Sequence, residues 1–328
     1  MRTLVVGSNS FSGASFVDHA LASGHAVLGV SRSHEVAGPF RRYRNNPDIA
    51  RYRFLQLDLN NPSDHEFEAV KDFGPNLVVN YAAQSMVGES WEHPEDWYQT
   101  NVVSLARLTN FLCGLDSLEK YVHVTTPEVY GSTPDWISES EPFDPSTPYA
   151  VSRAAGDMHL RVMQREKGFP VVFTRAANVY GSGQQLYRVI PKAFLSALSA
   201  KAFPLHGGGS SRRSFIHISD VDAATMRIAE AGRVGEEYHI STSQLVSIRD
   251  LVSQVFAMCG KEFDVDQSSA EDRPGKDAGY FLSSEKLRRE LNWSAKVELP
   301  YGLAEVHEWV LANRELFDTL PWEYKHRK

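Results

Sequence analysis

Tyr149 and Arg153 stand four residues apart in "TPYAVSRAAG", so both project from one face of a helix. A phenol beside a fixed cation is a route to a general base. Free tyrosine titrates at about 10, and poising it at about 7 takes about 4 kcal/mol. One unit charge about 4 Å away, at an effective dielectric of about 20, supplies roughly that amount. A surface arginine beside a core tyrosine would give the same spacing, and the pair alone leaves both readings open. A second candidate lies upstream, where the apolar strand pattern of "VHVTTPEVYG" runs into Thr126, Pro127 and Glu128. A carboxylate at the end of a strand made for burial is costly unless it has partners or a task.

A third pattern points to phosphate binding. "VVGSNSFSG" sets Gly7, Ser10 and Gly13 three apart, after a strand and before a helix that Phe11 opens. Small residues there let backbone N–H groups and the helix N-terminus approach a pyrophosphate. The middle glycine of the usual dinucleotide pattern is Ser10 here, which crowds the approach; a plain tight turn is the alternative. At the end of the second strand, "GVSRS" supplies Ser31, Arg32 and Ser33 where an acidic residue would hold a ribose 2′-hydroxyl. A guanidinium with hydroxyls suits a 2′-phosphate, so the expected cofactor is NADP, with NAD as the alternative if Arg32 is a solvated loop residue. Asp58, followed by Leu59 in "LQLDL", stands where adenine would lie. Ala82 and Ala83 in "NYAAQS" permit close passage of a cofactor. Thr100, Tyr149 and Arg153 complete the candidate cofactor contacts, although plain loop packing would also explain the loop positions.

The elements that must position these groups are legible as two alternating periodicities. Apolar strands at "TLVVG", "AVLGV", "RFLQLD", "NLVVNYA", "KYVHVTT" and "PVVFTRA" are separated by helical stretches such as "FSGASFVDHALASG", "WYQTNVVSLARLTNFLCGL" and "TPYAVSRAAGDMHLRVMQREKG". Unbroken apolar strands alternating with helices imply an α/β fold with a doubly wound parallel sheet covered on both faces. Beyond about residue 180 the pattern loosens into a smaller lobe with Gly- and Pro-rich loops. The tail "WEYKHRK" is charged and expected to fray. With 328 residues, 42% hydrophobic and 23% charged, the chain can bury a large core. A net charge of −7 disfavours nucleic acid or an anionic membrane as the main partner. No apolar run reaches the length of a membrane span, and the strand starting at the second residue leaves no room for a signal peptide. Cys113 and Cys259 form neither a disulfide framework nor a zinc-type spacing, and are expected to pack inside a reduced cytoplasm.

Taken in order, "VVGSNSFSG", "NYAAQS", "VTTPEVYG", "PYAVSR", "RAANVYG", "RRSFIHISDV" and "DRPGKD" resemble the extended short-chain dehydrogenase/reductases. They look most like the nucleotide-sugar 4,6-dehydratases, over nearly the whole chain. The resemblance implies a Rossmann-type domain over 1–180, with about 212–242 returning to it, and a nucleotide-sugar-binding lobe over most of 181–328. It implies a homodimer built through helices near 96–115 and 147–167. It also implies roles. Tyr149 takes the C4-hydroxyl proton as C4 hydride leaves for the nicotinamide; Thr126 orients that hydroxyl; Glu128 removes the C5 proton; water leaves C6 and the hydride returns there. Asn178 in "RAANVYG", with Arg188, Arg213 and Arg273, matches the diphosphate site, and Ser85 joins them on the substrate side.

Two positions depart from the pattern. Pro127 replaces the family's aspartate or serine and offers neither an acid nor an N–H, so Glu128 or a water must protonate the leaving hydroxyl. Arg153 replaces the usual lysine, keeping charge but changing reach. A 4-epimerase or nucleotide-uronate decarboxylase on the same scaffold stays open, as does a sensor that binds dinucleotide without turnover. The nucleotide base is unreadable.

Overall fold

The computed structural model describes residues 1–265, the short strand Ser269–Ala270 and residues 279–326. Arg273 lies outside the described residues. Seven parallel strands form the central sheet: β1 (Arg2–Val6), β2 (Ala26–Ser31), β3 (Tyr52–Gln56), β4 (Leu77–Asn80), β5 (Lys120–Thr125), β6 (Val171–Ala176) and β7 (Glu237–Ile240). Their spatial order is β7-β6-β5-β4-β1-β2-β3. The sequence order therefore reverses between β1 and β4, and ligands of such sheets bind in the crevice at the carboxyl ends of the strands beside that reversal.

The central strands are apolar on both faces because helices cover both. Val5, Val79, Val122 and Val172 pack towards Phe16, Ile216 and Ile228 on one side. Leu4, Val78, Tyr121 and Phe173 pack towards Leu105, Leu108 and Leu160 on the other. A second apolar cluster, including Phe194, Phe203, Leu251, Val255 and Val306, forms the smaller lobe.

Helix ends follow local chemistry. Ser10 caps the helix Phe11–Ala22, its Oγ accepting the Gly13 N–H at 3.0 Å. Thr147 caps the helix Pro148–Lys167 through the Ala150 N–H at 3.1 Å; Pro148 opens that helix and Gly168, at φ +68°, closes it. The helix expected across "WYQTNVVSLARLTNFLCGL" is interrupted. A π-helical segment, Gln99–Ser104, separates Pro94–Tyr98 from Leu105–Leu112. Its buried Asn101 turns away from helix continuity to bond the Gln84 backbone, at 2.9 Å to N and 3.0 Å to O, and Ser152 Oγ at 2.9 Å.

Two expectations are corrected. The tail does not fray as far as it is described: Trp322 Nε1 donates to Phe317 O at 2.9 Å, and Lys192 pairs with Glu323 at 2.8 Å. His326 lies between the rings of His93 and Trp97, with its Nε2 2.8 Å from Asp96 Oδ2. Aromatic stacking outweighs the solvation of a charged tail. Cys113 is exposed rather than packed, whereas Cys259 is half-buried with its Sγ 3.8 Å from His307 Nε2.

Candidate active site

The glycine loop shows why those residue types recur there. Gly7 takes φ +83°, and a Cβ on it would stand 2.7 Å from Ala82 N and 2.9 Å from Tyr81 C. A Cβ on Gly13 would collide with Gly7 O. Both glycines thus allow strand, helix and the "NYAAQS" loop to meet tightly. Ser10 spends its side chain on the cap, and the first N–H groups of the helix, from Phe11 on, have no intrahelical partner and point out of its end. That is a cradle for a pyrophosphate, and the residues present fit a dinucleotide.

The ribose end differs from expectation. Ser31 Oγ accepts the Asn9 N–H at 2.9 Å, and Asn9 Nδ2 reaches Ser33 O at 2.9 Å and Ser33 Oγ at 3.2 Å. Both hydroxyls expected to meet a 2′-phosphate therefore hold the glycine loop to the end of β2. Arg32 is exposed and its carbonyl accepts Gln56 Nε2. Asp58 Oδ1 accepts the Asn60 N–H at 3.0 Å, and Asn60 in turn bonds Thr100 Oγ1. Leu59, Ala82, Thr100 and Arg153 line one small cavity together with Asn80 and His123. Four of the candidate cofactor residues thus converge. Ala83 lies on the same loop, half-buried, and Ser85 on its exposed continuation.

The catalytic candidates also converge. The Thr126 side chain is near enough to Tyr149 to favour its phenolate. Thr126 caps the single-turn helix Pro127–Tyr130, accepting the Glu128 N–H at 3.3 Å. Pro127 occupies the first position of that turn, where no N–H is required. Half-buried Glu128 lies close enough to Tyr149 for its charge to act on the phenol. Arg153, 6% exposed, donates from Nη2 to Val124 O at the end of β5.

The pKa balance corrects one expectation. Burial of Tyr149 (6% exposed) pushes its phenol up; Arg153 pulls it down, Glu128 pushes it up again, and Thr126 and Arg188 pull it down. The net direction is upward. The cation is in place, but desolvation outweighs it.

On the substrate side, Arg188 precedes the helix Val189–Ser199 and its charge reaches Tyr149. Tyr280 Oη donates to Asn178 Oδ1 at 3.4 Å, and the Arg213 guanidinium sits 5.0 Å from the Tyr280 ring centroid. Asn178 and Arg213 are thereby gathered on one residue the sequence reading passed over. It also passed over Asn101, Asp157, Arg175 and Glu237. Of these, Arg175 carried a local signal, a charge inside the apolar strand pattern "PVVFTRA". No metal-binding group of His, Cys, Asp and Glu occurs among the described residues.

A family profile described as GDP-mannose 4,6 dehydratase matches residues 4–306. The chain belongs to that family. A dTDP-glucose 4,6-dehydratase from Streptomyces niveus is 32% identical, over 98% of this chain and 96% of the relative. Among solved structures, DesIV, a dTDP-glucose 4,6-dehydratase from Streptomyces venezuelae with NAD and TYD bound, superposes with a TM-score of 0.87. It is 30% identical and covers 96% of this chain and 98% of that one. A dTDP-glucose 4,6-dehydratase from Bacillus anthracis in complex with NAD gives a TM-score of 0.85 at 28% identity, covering 96% and 98%. The match to dehydratase structures accords with the Rossmann-type sheet.

Proposed function

We propose that this protein is a nucleotide-sugar 4,6-dehydratase, converting an NDP-hexose to an NDP-4-keto-6-deoxyhexose. The observation that carries the reading is the Thr126–Glu128 turn beside the Tyr149 phenol. Thr126 and Glu128 share one turn at the sheet's carboxyl edge, and the charge of Glu128 is felt by the Tyr149 phenol. Gly7, Ser10, Phe11 and Gly13 hold the pyrophosphate of a nicotinamide dinucleotide, which supplies a reversible hydride acceptor. Arg153 and Arg188 favour the phenolate, and Tyr149 takes the proton of the C4 hydroxyl that Thr126 orients. The 4-ketone acidifies the C5 hydrogen, and Glu128 removes that proton. The C6 hydroxyl departs as water, protonated by Glu128 or by a water, because Pro127 has no proton to give; the C4 hydride would then return to C6 and C5 regain a proton, so the turnover loses one water and leaves the dinucleotide unchanged.

We take the cofactor to be NAD rather than NADP. The solved dTDP-glucose dehydratases named above carry NAD, and here Ser31 and Ser33 are engaged with Asn9. The same neighbours make a dTDP-hexose the first substrate to try, held by Ser85, Asn178, Arg188, Arg213 and Arg273. We assign 1–180 with about 212–242 to the dinucleotide-binding unit, and most of 181–328 to the substrate lobe. A homodimer is supported by exposed Tyr98, Val103, Val151, Met158 and Val162, which put apolar surface on the two helical regions that related proteins pair. No helix among the described residues is long and apolar enough to cross a membrane, which suits a cytoplasmic enzyme.

Incubation with a panel of NDP-hexoses tests the reading. A product lighter by one water, with a 4-ketone, is expected. Unchanged mass would favour epimerisation, loss of CO₂ from a uronate would favour decarboxylation, and cofactor binding without turnover would favour a sensor.

A further inference from the structure

Behind the proposed catalytic turn lies a buried cluster of charges that touches no reacting atom. Arg175, at the end of β6, is 0% exposed. Its Nη1 lies 2.8 Å from Asp157 Oδ2, and its other nitrogens grip Glu237 as a fork, with Nη2 to Oε2 at 2.9 Å. Asp157 and Glu237 are also buried. Arg161 adds a second cation to Glu237 at 2.6 Å. Burying such a group is hard to justify by stability alone, since apolar replacements often fold as well. Its other contacts suggest what it does.

The same Arg175 Nη1 donates to Thr126 O at 3.0 Å, at the start of the turn that carries Glu128. At the end of that turn, Tyr130 Oη donates to Glu237 Oε1 and lies 2.9 Å from His239 Nε2. The Arg175 guanidinium also sits 5.2 Å from the Tyr130 ring centroid. The turn is therefore held at both ends by one cluster. Asp157 belongs to the helix Pro148–Lys167, two turns beyond Tyr149 and one beyond Arg153 on the same face. Arg175 thus bonds both the helix bearing the phenol, through Asp157, and the turn bearing the carboxylate, through Thr126 O, and Glu237 bridges the same two elements through Arg161 and Tyr130.

We infer that Arg175 is a positioning residue that, through Asp157 on one side and Thr126 O and the Tyr130–Glu237 contact on the other, sets the separation of Glu128 from Tyr149. The inference rests on the dehydratase reading. Elimination needs Glu128 to reach C5 of a sugar whose C4 hydroxyl is already held by Tyr149, so an error in their spacing falls on the second step rather than the first.

Two variants test this: Arg175→Lys, which keeps the charge but not the fork, and Tyr130→Phe, which removes only the hydroxyl anchor. Melting temperature, single-turnover C4 oxidation and steady-state reduced nicotinamide are measured for each. Positioning predicts that elimination slows on the order of 10- to 100-fold and by clearly more than C4 oxidation does, so reduced cofactor accumulates. Equal slowing of both steps, or normal kinetics in Tyr130→Phe, would overturn the inference. If Arg175→Lys does not fold, Tyr130→Phe decides alone. A wild-type control making no keto product would indict the dehydratase reading instead. A crystal structure of Tyr130→Phe reads this proposal without turnover: the Glu128 carboxylate must move relative to the Tyr149 oxygen, and a superimposable pair would contradict it.

Discussion

The Thr126 hydroxyl accepts the Glu128 N–H at 3.3 Å, and the same side chain acts on the Tyr149 phenol, pulling its titration down. One small side chain therefore couples the carboxylate to the phenol. Thr126→Val keeps the shape and deletes both the capping bond and the polar group that favours the phenolate. The variant should lose about 0.5–2 kcal/mol of stability as an uncapped turn, and C4 oxidation should slow on the order of 100-fold from a misplaced phenol. Stopped-flow reduction of the bound cofactor and a thermal melt check the two effects separately.

Arg153 has two jobs that substitution can separate. Its charge pulls the Tyr149 phenol down against burial, and its Nη2 holds Val124 O. Arg153→Met removes the charge, so the phenol titrates higher and the rising limb of the kcat–pH profile moves to higher pH. Arg153→Lys should leave that limb in place while kcat falls about tenfold, because an ammonium differs in reach and loses the bond to Val124 O. A limb unmoved in Arg153→Met would remove the electrostatic role.

Asp222 gives a stability prediction with a definite sign. It is buried in the helix Ile218–Ala231, where desolvation pushes its carboxyl up to about 8 despite the Ser15 hydroxyl and Arg42. The folded protein keeps the proton between 3.8 and about 8 while the unfolded chain releases it. Its contribution to stability is thus fully present below 3.8 and is lost as pH rises through about 8. Asp222→Asn abolishes this titration. Thermal melts across that range should show the variant gaining on wild type as pH increases; a constant difference would refute the assignment.

The docked tail makes a fourth prediction. His326 stacks on Trp97, which is fully buried, and Tyr324 meets the ring of Tyr187, the neighbour of Arg188. Ending the chain at Leu320 should lower the melting temperature and raise KM for the nucleotide sugar more than Kd for the dinucleotide. Titration of each ligand by calorimetry, beside steady-state kinetics, distinguishes the two.

What could be read from the chain was whatever depends on neighbours in sequence. The glycine loop, the apolar strands and the Tyr149–Arg153 face are local patterns, and each sits where its pattern placed it. The Arg175–Asp157–Glu237 cluster could not be read in this way. Its members lie far apart along the chain, and although Arg175 stands in an apolar strand, nothing beside it in sequence points to Asp157 or Glu237 as its partners. The contacts at the ribose end were hidden for a similar reason: nothing near Ser31 in sequence reveals that its hydroxyl accepts the Asn9 N–H. The sign of the Tyr149 shift depended on burial, which a helix pattern does not report. The tail was misjudged because charge count says nothing of a distant Trp97.

The most direct measurement of the central claim is the absorbance of reduced nicotinamide in Glu128→Gln after mixing with the substrate sugar nucleotide. If Glu128 is the C5 base, C4 oxidation proceeds, elimination slows on the order of 100- to 10,000-fold, and reduced cofactor builds up towards one per active site. Keto product formed at the wild-type rate, with no build-up of reduced cofactor, would contradict the account.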